Sequence, residues 1–370
     1  MYHFSLLMST GFQRIFVHLS DFFPLFGLFA GIGFVHTVCS VSIFVNFFVF
    51  FQISVIFLAR RFPMRRFRLI PLLMTLSILT SCSTRAPKDF AAVPLPSPSA
   101  VPPLLSVHIV GENAVVRMDI ETYVAGVVAG EMPNSWPLEA LKAQAILART
   151  FVLKFITEKD SRYPNADIST DIAEAQAYNA EAVNDRILRA VQETSGLILL
   201  TEEGALPYTW FHSHSGGMTE TARAGIDWQG EEPSYTNVTQ GMEADDAAWD
   251  AKFSAADFLA ACRKAGAAVT SCEVIKVGQK GESGRAVTLV VGGVTVNAAR
   301  LRMSLGSSKM RSTLLTELSV EGDVIRMSGL GYGHGVGLSQ WGAHALAQQG
   351  KSAEEIALHY YNGLRLVKAW

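Results

Sequence analysis

The pattern of apolar and polar residues divides the chain into distinct parts. An uncharged, largely apolar run covers 22–59, and a shorter apolar run covers 69–79. Residues 83–103 contain six prolines among Ser and Ala, a composition that favours an extended tether over a packed core. Helical and strand periods alternate after this tether, so we predict one folded domain over 104–370.

The periodicity within 104–370 predicts an α+β fold of mixed helices and antiparallel strands. Residues 111–113 indicate a hairpin turn, and Gly292-Gly293 is typical of a two-residue turn. Ser352 and Glu355 form a capping box that opens the last helix. Helices are predicted at 119–130, 137–157, 181–194, 254–265 and 339–349, and strands at 107–110, 114–118, 197–200, 274–277, 286–291 and 294–297.

The apolar leader, residues 1–63, has two interpretations. Its 22–59 run exceeds the ~20 apolar residues that span a bilayer, and basic residues follow it. It is therefore a candidate transmembrane segment. Alternatively, the natural start is Met64 and the leader reflects an over-long gene assignment, because a separate export signal begins at that residue.

Residues 64–82 have the parts of a secretory signal: a basic start, an apolar stretch and small residues before Cys82. The ending Leu-Thr-Ser-Cys resembles a bacterial lipoprotein signal, in which Cys82 is lipidated and becomes the mature N-terminus. A second transmembrane helix that ends by chance at a cysteine is the alternative. We expect an exported protein of the cell envelope, anchored to the membrane by lipidated Cys82 or by an N-terminal transmembrane segment.

Charge and cysteine content narrow the class of protein. Residues 1–82 hold six Arg and one Asp, which leaves 25 basic and 32 acidic residues in the remainder. Because phosphate binding needs clustered Lys and Arg, we predict no nucleic-acid partner. Cys262 and Cys272 are the cysteines of the folded domain, and their spacing alone leaves a disulfide open.

A glutamate lies on the apolar face of the first predicted helix. The stripe is formed by Ile120, Tyr123, Val124, Val127 and Val128. Glu131 takes the next position of the stripe, ~20° from Ile120 around the axis, and Pro133 sets the end of the helix. Burial and the helix dipole both raise the pKa of such a carboxyl group, as in general acids. A side chain rotated to solvent, or paired with Arg149 or Lys142, is the structural alternative.

The next predicted helix is expected to pack against the first. Pro137 lies in its first turn, where no N–H is required. Its apolar stripe is formed by Leu141, Ala145, Ala148, Val152 and Phe155. Arg149 is then expected to face the cleft, which makes it a candidate substrate-binding residue.

Three motifs resemble the sporulation stage II protein D family, which is also described as amidase-enhancer-like. The first comprises 131–133 (Glu-Met-Pro), 136–145 (Trp-Pro-Leu-Glu-Ala-Leu-Lys-Ala-Gln-Ala) and 148–150 (Ala-Arg-Thr). The second is 211–217 (Phe-His-Ser-His-Ser-Gly-Gly), and the third is 331–343 (Gly-Tyr-Gly-His-Gly-Val-Gly-Leu-Ser-Gln-Trp-Gly-Ala). A weaker match lies at 305–312. Their order over about 104–370 makes the resemblance specific.

The resemblance implies a lytic transglycosylase that cleaves the β-1,4 bond between N-acetylmuramic acid and N-acetylglucosamine in peptide-stripped glycan strands. The family's catalytic Glu precedes Met-Pro and corresponds to Glu131. One carboxyl group suffices because the muramic acid's own 6-hydroxyl closes a 1,6-anhydro ring, whereas hydrolases need a second carboxylate. Glu121 and Glu139 are interpreted as solvent-facing helix charges. A peptidoglycan amidase is the expected protein partner.

The other two motifs suit a sugar-binding cleft. Glycine recurs at every second position of 329–337, so an extended segment there would let substrate or backbone approach closely. Ser339 is expected to cap the helix that it opens. The candidate substrate-binding residues are His212, Ser213, Ser215, His334, Ser339 and Gln340. Tight packing around a buried hydrogen-bond network is the alternative for both motifs.

The resemblance also bears on metal binding. Some family members bind zinc through a Cys-x4-His-Cys-Gln-x-Tyr pattern. Ser169, Glu174 and Ala175 stand at the ligand positions here, although the Gln and Tyr of the pattern remain. His212 and His214 alone are too few ligands for zinc. We predict no metal and no cofactor.

A non-catalytic module that binds glycan and recruits or stimulates a peptidoglycan amidase is the alternative function. Glu131 favours the enzyme, because recognition of a sugar does not require an acid on an apolar face. A membrane transporter is disfavoured, because most of the chain forms the polar-apolar domain after the tether.

Overall fold

The computed structural model describes residues 101–370. The leader at 1–63, the signal at 64–82 with Cys82, and the tether up to residue 100 lie outside the described residues. Within 101–370, no helix combines the length and apolar character that a bilayer span requires.

Helices and strands are mixed along the described residues. The helices are α1 (Ile120–Glu131), α2 (Leu138–Glu158), α3 (Asp185–Glu193), α4 (Ala222–Ile226), α5 (Ala255–Lys264), α6 (Ala298–Leu305), α7 (Gln340–Gln348) and α8 (Ala353–Tyr360). The strands are β1 (Leu104–Ile109), β2 (Ala114–Asp119), β3 (Ile168–Ser169), β4 (Leu197–Leu200), β5 (Phe211–His212), β6 (Trp249–Ser254), β7 (Ile275–Val277), β8 (Thr288–Val291), β9 (Val294–Asn297), β10 (Leu315–Glu321), β11 (Val324–Gly329), β12 (Leu338–Ser339) and β13 (Arg365–Lys368). The α+β prediction is confirmed.

Most predicted elements are present with small shifts at their ends. The β7-β8-β9 meander and the Ser352–Glu355 capping box are confirmed. The helix predicted at 181–194 is shorter, because Asn184 accepts the Ile187 N–H and starts α3 as a new helix. The sheet β10-β11-β6 was not predicted, since β10 buries no residue fully and β6 only two, although burial alternates regularly along β11.

Two hydrophobic cores organise the domain. The first packs α1, α2, α3, α7 and α8 with the sheets β2-β1-β3 and β4-β13. The second lies among β10-β11-β6, β7-β8-β9, α5 and α6. Between β4 and β12 the chain contributes only partly buried residues to the first core, such as Phe211 and Met242. The segments that connect the two cores therefore contain both the second and the third motif.

The cysteine pairing that the sequence left open is decided by the fold. Cys262 and Cys272 are both buried in the second core as free thiols. Burial raises the pKa of Cys262 to about 11, so its thiol stays protonated and unreactive.

Candidate active site

Glu131 is the last residue of α1, and the helix ends where the sequence predicts. Asp119 caps the first turn by accepting the Thr122 N–H at 2.9 Å. Pro133 disfavours helical geometry at Met132, whose φ of −128° and ψ of 145° are extended. The apolar stripe of the helix is buried in the first core, and Glu131 is partly buried beside it.

Two hydrogen bonds hold the Glu131 carboxyl group. Its Oε1 accepts the backbone N–H of Ala177 at 2.7 Å, and its Oε2 accepts Nε2 of Gln340 at 3.4 Å. Burial raises the pKa of Glu131, and the two hydrogen bonds oppose this effect without cancelling it. The carboxyl group therefore keeps its proton to a higher pH than an exposed glutamate.

The cations that could have paired with Glu131 are engaged elsewhere. Lys142 Nζ lies 2.7 Å from Glu139 Oε1 and 2.5 Å from Glu193 Oε2. Arg149 pairs with Glu121. Neither cation offsets a charge on Glu131, so the structural alternative of an ion pair is wrong.

Arg149 does not face the cleft, and that prediction is wrong. The side chain is fully buried, and its Nε and Nη2 donate to Glu121 at 2.5–3.1 Å. Its Nη1 donates to the Leu197 carbonyl at 2.9 Å. Glu121 also accepts the Gly196 N–H at 2.8 Å and Trp370 Nε1 at 3.0 Å, so it is not a solvent-facing charge either. The pair ties α1 and α2 to β4 and leaves Arg149 no surface for a glycan.

The second and third motifs come together as one wall beside α7. Strand β5 pairs in parallel with β12, with His212 opposite Ser339. Further along, His214 and Tyr332 exchange two backbone hydrogen bonds of 2.8 and 2.9 Å. The Ser213 carbonyl accepts the Trp341 N–H at 3.0 Å. Residues more than a hundred positions apart in sequence therefore share one surface.

The glycine-rich segment 331–337 is not an extended strand. Its four alternate glycines all have positive φ, between 68° and 120°, which L side chains rarely adopt. A Cβ on Gly335 would lie 2.2 Å from Arg285 Nε, and one on Gly337 would lie 2.1 Å from the Trp210 carbonyl oxygen. At these two positions the close approach is made by the protein itself, as the packing alternative anticipated.

Glu243, which the sequence analysis missed, joins the two motifs. Its Oε1 accepts the Ser215 N–H at 2.7 Å, and its Oε2 accepts the Ser215 hydroxyl at 2.9 Å. The Ser339 hydroxyl donates to the same carboxylate and accepts the Gly342 N–H, so its predicted capping of α7 is confirmed. No local pattern indicates Glu243, because its partners lie 28 and 96 residues away.

The histidines of these motifs are hydrogen-bonded by the protein, and His212 and His214 are buried. His212 Nδ1 donates to the Val336 carbonyl at 3.2 Å, and burial, with neighbouring His334, lowers its pKa well below the ordinary value. His334 Nδ1 accepts the Val336 N–H at 3.0 Å, and burial lowers its pKa to about 3. His214 Nε2 donates to Asp245 at 3.1 Å. His212 and His334 are thus neutral rings that fix the wall.

Comparison with known proteins agrees with these motifs. The stage II sporulation protein family model matches residues 110–200, which contain Glu131. Stage II sporulation protein D of Bacillus amyloliquefaciens is 30% identical over 74% of this chain and 80% of its own length. The protein of the same name from Bacillus subtilis (strain 168) is 29% identical over 78% of this chain and 85% of its own length.

The chain belongs to the stage II sporulation protein D family. It is also similar to an amidase enhancer of Bacillus subtilis (strain 168), with 27% identity over 65% of this chain and 40% of that protein. Membership in the family associates the chain with the bacterial cell wall.

An aromatic surface in this family member lies beside Glu131. Trp136 follows the Glu-Met-Pro segment and packs against Trp341 and His344, with ring centroids 4.8 and 4.9 Å away. Trp341 is 45% exposed and directly follows Gln340. An exposed indole offers an apolar face with a polar edge, which suits a sugar ring. The sequence showed both tryptophans within motifs, but only the fold shows that they meet.

The zinc pattern of some relatives has no counterpart in the geometry. Ser169 is buried, and its carbonyl accepts the Tyr123 hydroxyl at 2.9 Å. Glu174 accepts the Ser161 hydroxyl and the Arg162 N–H. Among residues 101–370, no three His, Cys, Asp or Glu side chains are grouped so as to hold a metal ion. These residues do not fit a zinc site, and metal-free activity stays a prediction.

Proposed function

We propose that this protein is a peptidoglycan lytic transglycosylase with Glu131 as its general acid and base. The observation that carries the proposal is the environment of the Glu131 carboxyl group. Burial raises its pKa, and no cation lies beside it within 101–370. Hydrogen bonds from Ala177 and Gln340 hold it in place. Such a group can protonate a leaving oxygen at a higher pH than an exposed glutamate can.

The reaction needs one proton carrier. Glu131 protonates the glycosidic oxygen between N-acetylmuramic acid and N-acetylglucosamine, and the bond to the anomeric carbon breaks. The 6-hydroxyl of the muramic acid attacks that carbon and closes the 1,6-anhydro ring. The Glu131 carboxylate takes the hydroxyl proton and is ready for another cycle.

The surroundings support cyclisation over hydrolysis. A hydrolase would need a second carboxylate as nucleophile or base. Glu243, the buried carboxylate of the wall beside α7, has a side chain that is 1% exposed. Three donors from Ser215 and Ser339 occupy it, so it is not free to activate water. Trp341, which packs against the buried Trp136, would hold a sugar ring against this wall.

A second candidate is a non-catalytic module that binds glycan and recruits or stimulates a peptidoglycan amidase. The observation that favours it is the likeness to a relative named an amidase enhancer. The two functions share the substrate surface and differ at Glu131, because binding alone does not require a protonated carboxyl group there.

The test is digestion of peptide-free glycan strands in ¹⁸O-labelled water, followed by mass analysis. We expect products that end in 1,6-anhydro-N-acetylmuramic acid and carry no ¹⁸O. Glu131→Gln should cleave at least ~10²-fold more slowly while still binding strands. The matched control is Glu202→Gln, which removes an exposed carboxylate in the turn after β4.

Two outcomes would contradict the proposal in different ways. Reducing ends that carry ¹⁸O would mean hydrolysis, and a second carboxylate would have to be found. Strands that are bound but never cut, with or without an amidase, would reject the enzyme in favour of the recruiting module.

A further inference from the structure

A pocket of about 570 Å³ lies beside the glycine-rich segment and takes no part in the reaction at Glu131. Helices α4 and α6, the end of α5, and His334 line it. The other ionisable residues in its lining are Asp227, Lys264, Arg300 and Arg302. The lining therefore carries more positive than negative charge.

Arg302 is a buried cation without a carboxylate partner among residues 101–370. It is 8% exposed, and burial lowers its pKa. Its Nε donates to the Arg311 carbonyl at 2.9 Å, and its Nη1 lies 3.7 Å from Met303 Sδ. Neither contact neutralises the guanidinium. Because a buried charge is costly unless an opposite charge accompanies it, an anion in the pocket would stabilise this arrangement.

The one acidic residue of the lining is already engaged. Asp227 Oδ2 lies 2.5 Å from Arg300 Nε, and its Oδ1 accepts Asn297 Nδ2 at 2.9 Å. This ion pair leaves the charges of Arg302 and Lys264 unmatched in the lining. The charge of Arg302 is also felt by His334, whose pKa it lowers in addition to the larger effect of burial.

We propose that the pocket is a carboxylate-binding site that takes the lactyl carboxylate of an N-acetylmuramic acid residue. Arg302 is the buried ligand, and Lys264 is the exposed one. A guanidinium matches the two oxygens of a carboxylate. The assignment of the lactyl group rests on the proposed function, because that group is the anion carried by a peptide-free glycan strand. A stem peptide converts the same group into an uncharged amide, so the pocket discriminates against strands that carry peptides.

The pocket lies within reach of the reacting bond. His334 lines the pocket, and Gln340, six residues later, donates to Glu131. Even a fully extended segment of that length spans only ~20 Å. This upper limit on the distance between the two residues is short enough for a glycan strand of a few sugars to bridge.

The experiment measures how tightly the full-length protein, purified in detergent, binds two kinds of glycan strand. One is the peptide-free strand, and the other is the same strand after its lactyl carboxylates have been coupled to methylamine. The wild type should bind the unmodified strand about tenfold more tightly, the value of one charge-assisted contact. Lys264→Gln and Arg302→Lys should lose most of this preference, the latter because it keeps the charge but not the two-pronged geometry.

Arg263→Gln is the matched control. Arg263 is exposed and adjacent to Lys264 but does not line the pocket, so this variant should keep the preference. Lys264 is exposed, and its substitution tests the pocket even when Arg302→Lys fails to fold. Circular dichroism of each variant identifies such a failure.

Each result decides a separate question. Equal affinity of the wild type for both strands overturns the pocket assignment, as does a preference that survives both pocket variants. Inorganic phosphate is titrated in parallel: if Lys264→Gln weakens phosphate binding while the two strands bind equally, the pocket holds a free anion and the muramic acid assignment is wrong. Cleavage is followed in the same samples. If the wild type prefers the unmodified strand but cleaves neither, the carboxylate site is supported and the transglycosylase activity is rejected. If it cleaves strands but binds both kinds equally, only the carboxylate site is rejected.

Discussion

Two glutamates of α1 have different environments although they lie on one helix. Glu121 accepts hydrogen bonds from a buried guanidinium, a backbone N–H and an indole N–H, and these contacts tie it into the fold. Glu131 meets one backbone N–H and one amide, and burial raises its pKa. At the residue scale, the two side chains are chemically identical. Their surroundings make Glu121 part of a structural ion pair and Glu131 a candidate acid.

The raised pKa of Glu131 predicts a pH dependence. Cleavage should fall as pH rises through that pKa, because the acid loses its proton. The folded-state pKa exceeds the unfolded one, so the contribution of Glu131 to stability is present at low pH and is lost as pH rises through the folded pKa. The substituted side chain of the Glu131→Gln variant does not titrate. The free energy of unfolding of this variant should therefore increase relative to that of the wild type as the pH rises. Urea unfolding between about pH 4 and about pH 8 measures the difference. A difference that stays constant would contradict the raised pKa.

The ion pair of Arg149 predicts a loss of stability rather than of binding. Arg149→Met leaves Glu121 buried without its guanidinium and should destabilise the fold by about 3–5 kcal/mol. The control Arg189→Met breaks an exposed pair with Glu193 and should cost about 0.5 kcal/mol or less. Urea unfolding and glycan binding are measured together. Weaker glycan binding at unchanged stability would restore Arg149 as a substrate contact.

At the scale of elements, the position of Glu131 depends on how closely one segment approaches α1. Tyr178 lies against Gly126 and Gly130, and the preceding residue, Ala177, supplies the N–H that binds Glu131. A side chain on this face of the helix would separate the two. The glycines of α1 therefore serve the site, although glycine weakens a helix in general.

Gly130→Ala should impair cleavage without touching the carboxyl group. Its Cβ would lie 2.7 Å from the Tyr178 nitrogen and 2.8 Å from the Ala177 carbonyl carbon, so the backbone must move away from Glu131. Displacement of a catalytic contact by about 1 Å costs on the order of 10²-fold in rate. Gly111→Ala, at a position with no neighbour within 4 Å, is the control and should cleave normally. Equal rates for both variants would show that the Ala177 contact is dispensable.

At the scale of the whole molecule, the site joins parts of the chain that are far apart in sequence. The chain completes most of the first core by β4, builds the second core, and returns to the first at β12. That return places Gln340 at Glu131, 209 residues away in sequence. Because the helices that carry Glu131 and Gln340 both pack in the first core, the site is complete only after the chain has returned to that core.

The composition of this assembled site predicts activity without a metal. The purified protein should contain far less than one zinc per chain and should keep its cleavage rate in a chelator. Metal analysis and a rate measurement with and without chelator test this together. Stoichiometric zinc, with loss of activity or folding on chelation, would contradict the interpretation of Ser169, Glu174 and Ala175.

The segment before the domain predicts processing at Cys82. We propose that the mature protein begins at lipidated Cys82 and lies in the cell envelope. A fatty-acid probe should label the wild type, and Cys82→Ser should lose the label. A cysteine modified by several acyl chains would anchor the protein stably, with the proline-rich tether as spacer. A mature chain that retains residues 22–59 would favour the transmembrane alternative.

Local sequence determined much of what lies within one element. The helical period placed Glu131 on the buried face of α1, Pro133 ended that helix, and Asp119, Ser339 and Ser352 capped their helices. These features depend on neighbours within about one helical turn, so residue order alone specifies them.

Only the tertiary structure decided which elements meet. Glu121 and Arg149 are 28 residues apart, Ser339 and Glu243 are 96 apart, and nothing in their local patterns links them. The direction of Arg149 was mistaken for this reason: its partner is fixed by the packing of α2 against α1 and β4. The pocket around Arg302 likewise exists because three helices and the glycine-rich segment converge. Contacts of this range depend on how the cores pack, and periodicity along a chain carries no information about that packing.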